Sequence, residues 1–121
     1  MRIWLLLCLG LATAVAPAVE IRIDYTYDTS NFFSTPERRA AIEAVARFFS
    51  ELLEDELLEI DPADFTQASW IATFTHPATG ARELIENPVI PANTIIEYVG
   101  ARALSINTTG LAGPGAFSAS G

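Results

Sequence analysis

The sequence predicts an α+β fold in which a twisted mixed β-sheet of about four to five strands is backed by one long helix, and three observations carry that prediction. From Thr35 to Leu58 the apolar residues Ile42, Val45, Ala46, Phe49, Leu52, Leu53 and Leu57 recur at three-and-four spacing, while Arg39, Glu43, Arg47, Glu51 and Glu54 fall away from them. That is the period of one helix face. From Val19 to Asp28 the chain instead alternates, with Val19, Ile21, Ile23, Tyr25 and Tyr27 against Glu20, Arg22, Asp24, Thr26 and Asp28, the period of a strand with one wet face. Between Ser69 and Val99 three further short β-rich runs are separated by Pro, Gly and Asn. One amphipathic helix and several half-apolar strands bury their apolar sides most simply against one another.

The 121 residues bound the chain to one domain. Met1 and Arg2 precede the uncharged apolar run Ile3 to Val15, which is short for a bilayer span and has the form of a secretory signal. Cleavage after Ala18 is expected, since cutting after Ala16 would place Pro17 just beyond the scissile bond. Residues 1–18 are then a signal peptide, 19–121 a single domain, and the destination secreted or otherwise extracytoplasmic. A lipoprotein reading of Leu5 to Cys8 is disfavoured by the bulky Leu7 before the cysteine. Cys8 is the only cysteine, so the mature part has neither a disulfide nor a thiolate site. Six arginines against fifteen acids give that part a formal charge of −9, which argues against nucleic-acid and anionic-membrane partners and suits solubility.

Taken in order, the strand Val19 to Asp28 places Asp24 and Asp28 on its solvated face, too far apart to act as a carboxylate pair. Thr29 to Phe33 turns the chain, with Phe32 and Phe33 packing beneath the next helix as a hydrophobic staple. Ser34 or Thr35 caps that helix, Pro36 fills its first position and Glu37 meets the positive dipole end. Acids gather at its other end: Glu54, Asp55, Glu56, Glu59, Asp61 and Asp64. Pro62 ends the helical region, and Ala63 to Ala68 is loop. Ser69 to Thr75 is a strand, His76 to Gly80 a turn and Arg82 to Glu86 the returning strand of a hairpin. Thr94 to Val99 is the next and most buried strand, because its residues leave little polar face. From Gly100 the regular pattern lapses.

Motifs with chemical content are sparse. The acidic corner lacks the ligand spacing of an EF-hand, so a calcium-dependent module is a minor expectation beside plain solvation. His76, the one histidine, sits in a turn before a proline with no convergent partners, and is read as an exposed turn residue. Gly110, Gly113 and Gly115 lack the Lys-Ser/Thr of a phosphate loop. Asn107-Thr108-Thr109 is a glycosylation sequon that matters only in a host with the machinery. Ser118 and Ser120 lack a nucleophile-elbow setting. No catalytic, metal-binding or cofactor-binding residue is assigned.

The element order, with Thr94 to Val99 followed by Gly113-Pro114-Gly115-Ala116-Phe117-Ser118-Ala119, resembles the upper half of zincin metallopeptidases, in particular matrixin-like metzincins. The resemblance implies that the Gly-Pro-Gly turn introduces a short edge strand, and that Ala116, Phe117, Ser118 and Ala119 form a substrate-facing edge binding peptide by strand addition. It also implies a zinc helix with His-Glu-x-x-His, a motif these residues do not contain. On this reading 19–121 is an incomplete zincin-like upper subdomain, inactive by itself. Zinc and a peptide or protein substrate are then expected only of a full-length parent. The alternative is a complete small secreted α+β binding or interaction protein, using the aromatic hairpin around Trp70 and Phe74 or an exposed sheet edge.

Overall fold

The structure, a computed structural model, describes residues 18–121; the expected signal peptide, with Cys8, lies almost wholly outside them. The fold is α+β. Its elements are β1 (Glu20–Asp24), α1 (Pro36–Ser50), β2 (Ser69–Thr75), β3 (Arg82–Glu86), β4 (Thr94–Tyr98) and β5 (Ala116–Ser120), with short 3-10 turns at Phe32–Ser34 and Pro62–Asp64. The five strands divide between two sheets. β1 pairs parallel with β4, Glu20 opposite Thr94 and Asp24 opposite Tyr98, while β3, β2 and β5 form an antiparallel sheet in that order. α1 lies on β1. The sheets meet through aromatic side chains: Phe74 of β2 stacks on Tyr98 of β4 at 4.5 Å between centroids, and Tyr27 meets both rings edge-on.

α1 begins as its sequence dictates, with Pro36 in the first turn, Glu37 beside the positive dipole end and extended backbone at Thr35. Neither expected cap forms, since the Thr35 side chain makes no capping bond. The helix ends at Ser50, short of the expected Leu58. Two forces end it there. Acids beyond Ser50 oppose the negative dipole end, and Ser50 Oγ donates back to the Ala46 carbonyl while accepting the Ile21 N–H of β1, both at 2.9 Å. The chain then runs as a strap beside the start of β4. The Asn93 N–H donates to the Leu57 carbonyl, the Leu57 N–H donates to Asn93 Oδ1, and Ile60 bridges Ile90.

Among the described residues the buried apolar core is Val19, Ala46 and Val99. The helical stripe is therefore only partly covered, with Val45, Phe49 and Leu52 more than half exposed. β4 is likewise less buried than expected: Thr94 is enclosed but Ile95 is exposed.

β1 stops at Asp24, earlier than the alternation suggests, because Asp24 Oδ1 accepts the Thr26 N–H and starts a turn. Asp28 is not a solvated strand residue. It is buried, and its carboxylate accepts the Phe33 N–H at 2.7 Å and the Ser30 hydroxyl at 3.2 Å. The turn it organises carries Phe33 against Tyr25, while the guanidinium groups of Arg38 and Arg39 cover Phe32 and Tyr25. The Phe32–Phe33 staple is thus closed by cations from the first turns of α1.

The β2–β3 hairpin forms as expected, Ile71 opposite Glu86 and Thr75 opposite Arg82. Its turn is closed by the His76 N–H to the Ala81 carbonyl at 2.7 Å and the Gly80 N–H to the His76 carbonyl at 2.8 Å. Gly80 has φ of +80°, and a Cβ there would run into the Arg102 guanidinium. Gly80→Ala is therefore expected to cost about 1–2 kcal/mol, lowering Tm by roughly 4–8 °C for each kcal/mol in a domain of this size. Gly110→Ala, with open space around it, is expected to leave Tm unchanged or raise it slightly. Thermal denaturation followed by circular dichroism checks both.

Candidate functional site

All four residues of the expected substrate-facing edge, Ala116, Phe117, Ser118 and Ala119, lie in β5, at the margin of the three-stranded sheet. The strand follows Gly115, whose Cα passes so close to the Thr73 carbonyl that a Cβ would stand 3.3 Å from it. β5 then pairs antiparallel with β2, Ala116 opposite Thr73 and Ser120 opposite Ser69. Outside the backbone ladder, one side-chain link joins the ends of the two strands: the hydroxyls of Ser69 and Ser120 stand 3.1 Å apart.

The direction of each β5 peptide follows from the bonds on the far side of β2. The Asn87 N–H donates to the Trp70 carbonyl, and the hairpin closes through His76, so even-numbered β2 residues turn their backbone groups toward β3. Odd-numbered ones turn toward β5 and bond Ala116, Ser118 and Ser120, their register partners. Phe117 and Ala119 consequently direct their N–H and C=O groups outward, as an open template for another strand. All of β5 is exposed, Phe117 by 77%.

Charge separates this edge from the others. β1 carries Glu20, Arg22 and Asp24, and its outward Ile21 N–H is taken by Ser50 Oγ. β3 carries Arg82, Glu83 and Glu86, and β4 carries Glu97. β5, AFSAS, has no charged residue. Edge charges are the usual defence against unwanted strand pairing, and β5 has none.

The remaining candidates from the sequence are placed otherwise. His76 is half-buried rather than exposed: its ring meets Tyr27 edge-on at 5.1 Å and its Nδ1 accepts the Ala78 N–H. Phe74 is engaged between the sheets, and the Trp70 Nε1–H is buried without a partner among the described residues. The acidic residues 54–64 are spread along the strap. Among the described residues no group of three or more His, Cys, Asp or Glu side chains converges on a point, so the described residues do not fit a zinc centre. Tyr25 donates to Glu43 Oε1 at 2.8 Å; burial first, and then this bond, push its hydroxyl up to about 12. This is a neutral structural phenol rather than a base. Sequence reasoning missed the Tyr27–Phe74–His76–Tyr98 cluster, although the aromatic residues ending three separate segments were its available signal.

Comparison with protein-family models, with curated proteins and with solved structures found no match to this chain.

Proposed function

We propose that the chain supplies the peptide-binding edge of an exported zincin-like metallopeptidase, with β5 taking an extended peptide as an additional antiparallel or parallel strand. The observation that carries this reading is the uncharged, outward-facing β5 backbone at Phe117 and Ala119, introduced by the Gly113-Pro114-Gly115 turn. Backbone pairing supplies affinity in such a mode and alternate side chains supply selectivity. The β5 side chains are small except for Phe117, which leaves room for substrate side chains on either face. Hydrolysis is assigned to a zinc helix of a longer parent, because this sequence has a single histidine.

Ala119→Pro tests the binding step. Proline there removes an outward N–H while leaving the β2–β5 ladder bonds in place, so it is expected to weaken binding of a neutral extended peptide of alternating valine and threonine without lowering Tm. Unchanged binding overturns the reading. Its enzymatic part is checked by the reading frame after Gly121: a His-Glu-x-x-His helix there supports it, and peptide binding without one favours a binding module instead.

A further inference from the structure

A second open edge lies elsewhere in the fold, along β4. The parallel ladder to β1 is fixed at its ends by the Glu20 N–H donating to the Asn93 carbonyl and the Val99 N–H donating to the Asp24 carbonyl. Bonds in such a ladder alternate, so Ile95 and Glu97 face β1, whereas Thr94, Ile96 and Tyr98 turn their backbone groups the other way. No strand among the described residues pairs with them there. Alongside runs an apolar groove of about 380 Å³, lined among others by Leu57, Ile60, Ala72, Ile90, Ile96 and Tyr98. Residues of both parities on β4 line it and none of β1 does, which places it at the free edge rather than on the ladder side.

The wall opposite β4 is the strap after α1, and its charge is one-sided. Between Arg47 and Arg82 the chain has seven acids and no lysine or arginine. Glu56 and Glu59, immediate neighbours of the groove-lining Leu57, Leu58 and Ile60, are exposed, as are Glu54, Asp55 and Asp64. Hydrogen bonds between Leu57 and Asn93 and the Ile60–Ile90 bridge hold this acidic strap beside β4. Backbone groups awaiting a partner, an apolar trough beside them and an acidic strap along one wall define one occupant chemically.

We propose that the β4 groove docks an extended segment of a protein partner, apolar at alternate positions and flanked by lysine or arginine. The segment adds as a strand on the Ile96 and Tyr98 backbone, places every second side chain in the trough, and sets its basic flanks against Glu56 and Glu59. This site is separate from β5 and does not depend on the peptidase reading.

The test uses the full 121-residue chain and three synthetic probes: a valine–threonine alternating peptide with paired lysines at each end, the same core with paired glutamates, and the lysine peptide with a central proline. Fluorescence anisotropy at low salt is expected to give the lysine peptide about tenfold tighter binding than the glutamate one, the effect of a few rim charge pairs, and no binding of the proline peptide. Ile96→Pro, which removes an N–H facing the groove together with a groove-lining side chain, is expected to abolish the preference for the lysine peptide; Ala119→Pro on β5 is expected to leave that preference intact. Should Ile96→Pro fail to fold, the surface variant Glu56→Lys with Glu59→Lys is expected to remove the preference for lysine. Equal affinity for the lysine and glutamate peptides, or loss of the lysine preference in Ala119→Pro, overturns the proposal.

Discussion

Val19→Asp is expected to abolish cooperative folding. Val19 is 1% exposed, the most enclosed side chain described, and it sits where β1 enters its contact with α1. Few residues share its burial, so the hydrophobic term holding helix to sheet is concentrated there. Each fully buried aliphatic side chain contributes about 1.5–3 kcal/mol, and a domain of this size holds only roughly 5–15 kcal/mol in total. An aspartate at this position removes that contribution and adds a carboxylate without a hydrogen-bonding partner, a cost of several kcal/mol more. Urea denaturation at neutral pH is expected to show no cooperative transition for Val19→Asp. Val45→Asp, on the α1 stripe but 55% exposed, is expected to shift the midpoint little, by about 0.5 kcal/mol or less. If both variants unfold alike, the stripe is covered over its whole length and the helix is not partly open.

That contrast marks what the sequence could and could not convey. Alternation and turn chemistry located β2, β3 and β4 nearly to the residue, because Asn, Pro and Gly punctuate them and local backbone preferences decide such boundaries. The end of α1 was not legible. Leu52, Leu53 and Leu57 continue the helical period, whereas Ser50 is tied to Ile21 of β1 at the helix end and the strap beyond it is held by Asn93, both non-local links. The parallel pairing of β1 with β4 and the division of five strands into two sheets are non-local in the same way. The β5 edge was reached only through the Gly-Pro-Gly resemblance, since Ala, Ser and a single Phe carry almost no alternation signal. Which of its peptides face outward required the register and the bonds on the far side of β2. The acids near Leu57 were visible as a cluster, but the groove they border exists only once the strap lies beside β4.

Asp28 is the position where sequence and structure part most sharply, and its removal is the second large effect expected. Alternation makes it one more charged residue on a wet face; in the fold it is the buried acceptor that ties two segments together. One carboxylate oxygen receives the Phe33 N–H and the other the Ser30 hydroxyl, while the Asp28 backbone accepts from Asn31 and donates to Tyr25. Asp28→Ala leaves the backbone bonds possible but strands the Phe33 N–H, in a turn that also forces Asn31 into the left-handed region at φ of 54°. Losing a charged acceptor of a buried donor costs about 1.5–3 kcal/mol, and the strained turn then has less to hold it. Phe33 and Tyr25 are expected to loosen with it, because Arg39 covers Tyr25 only while the turn delivers that ring. Asp28→Asn keeps one acceptor oxygen and is expected to lose about half as much. Chemical denaturation gives the two costs, and amide exchange at Phe33 localises them: fast exchange in Asp28→Ala with protection retained in Asp28→Asn is the expected pattern. Equal protection in both would mean that the turn is held by its backbone bonds and by the aromatic staple, and that the carboxylate is incidental to it.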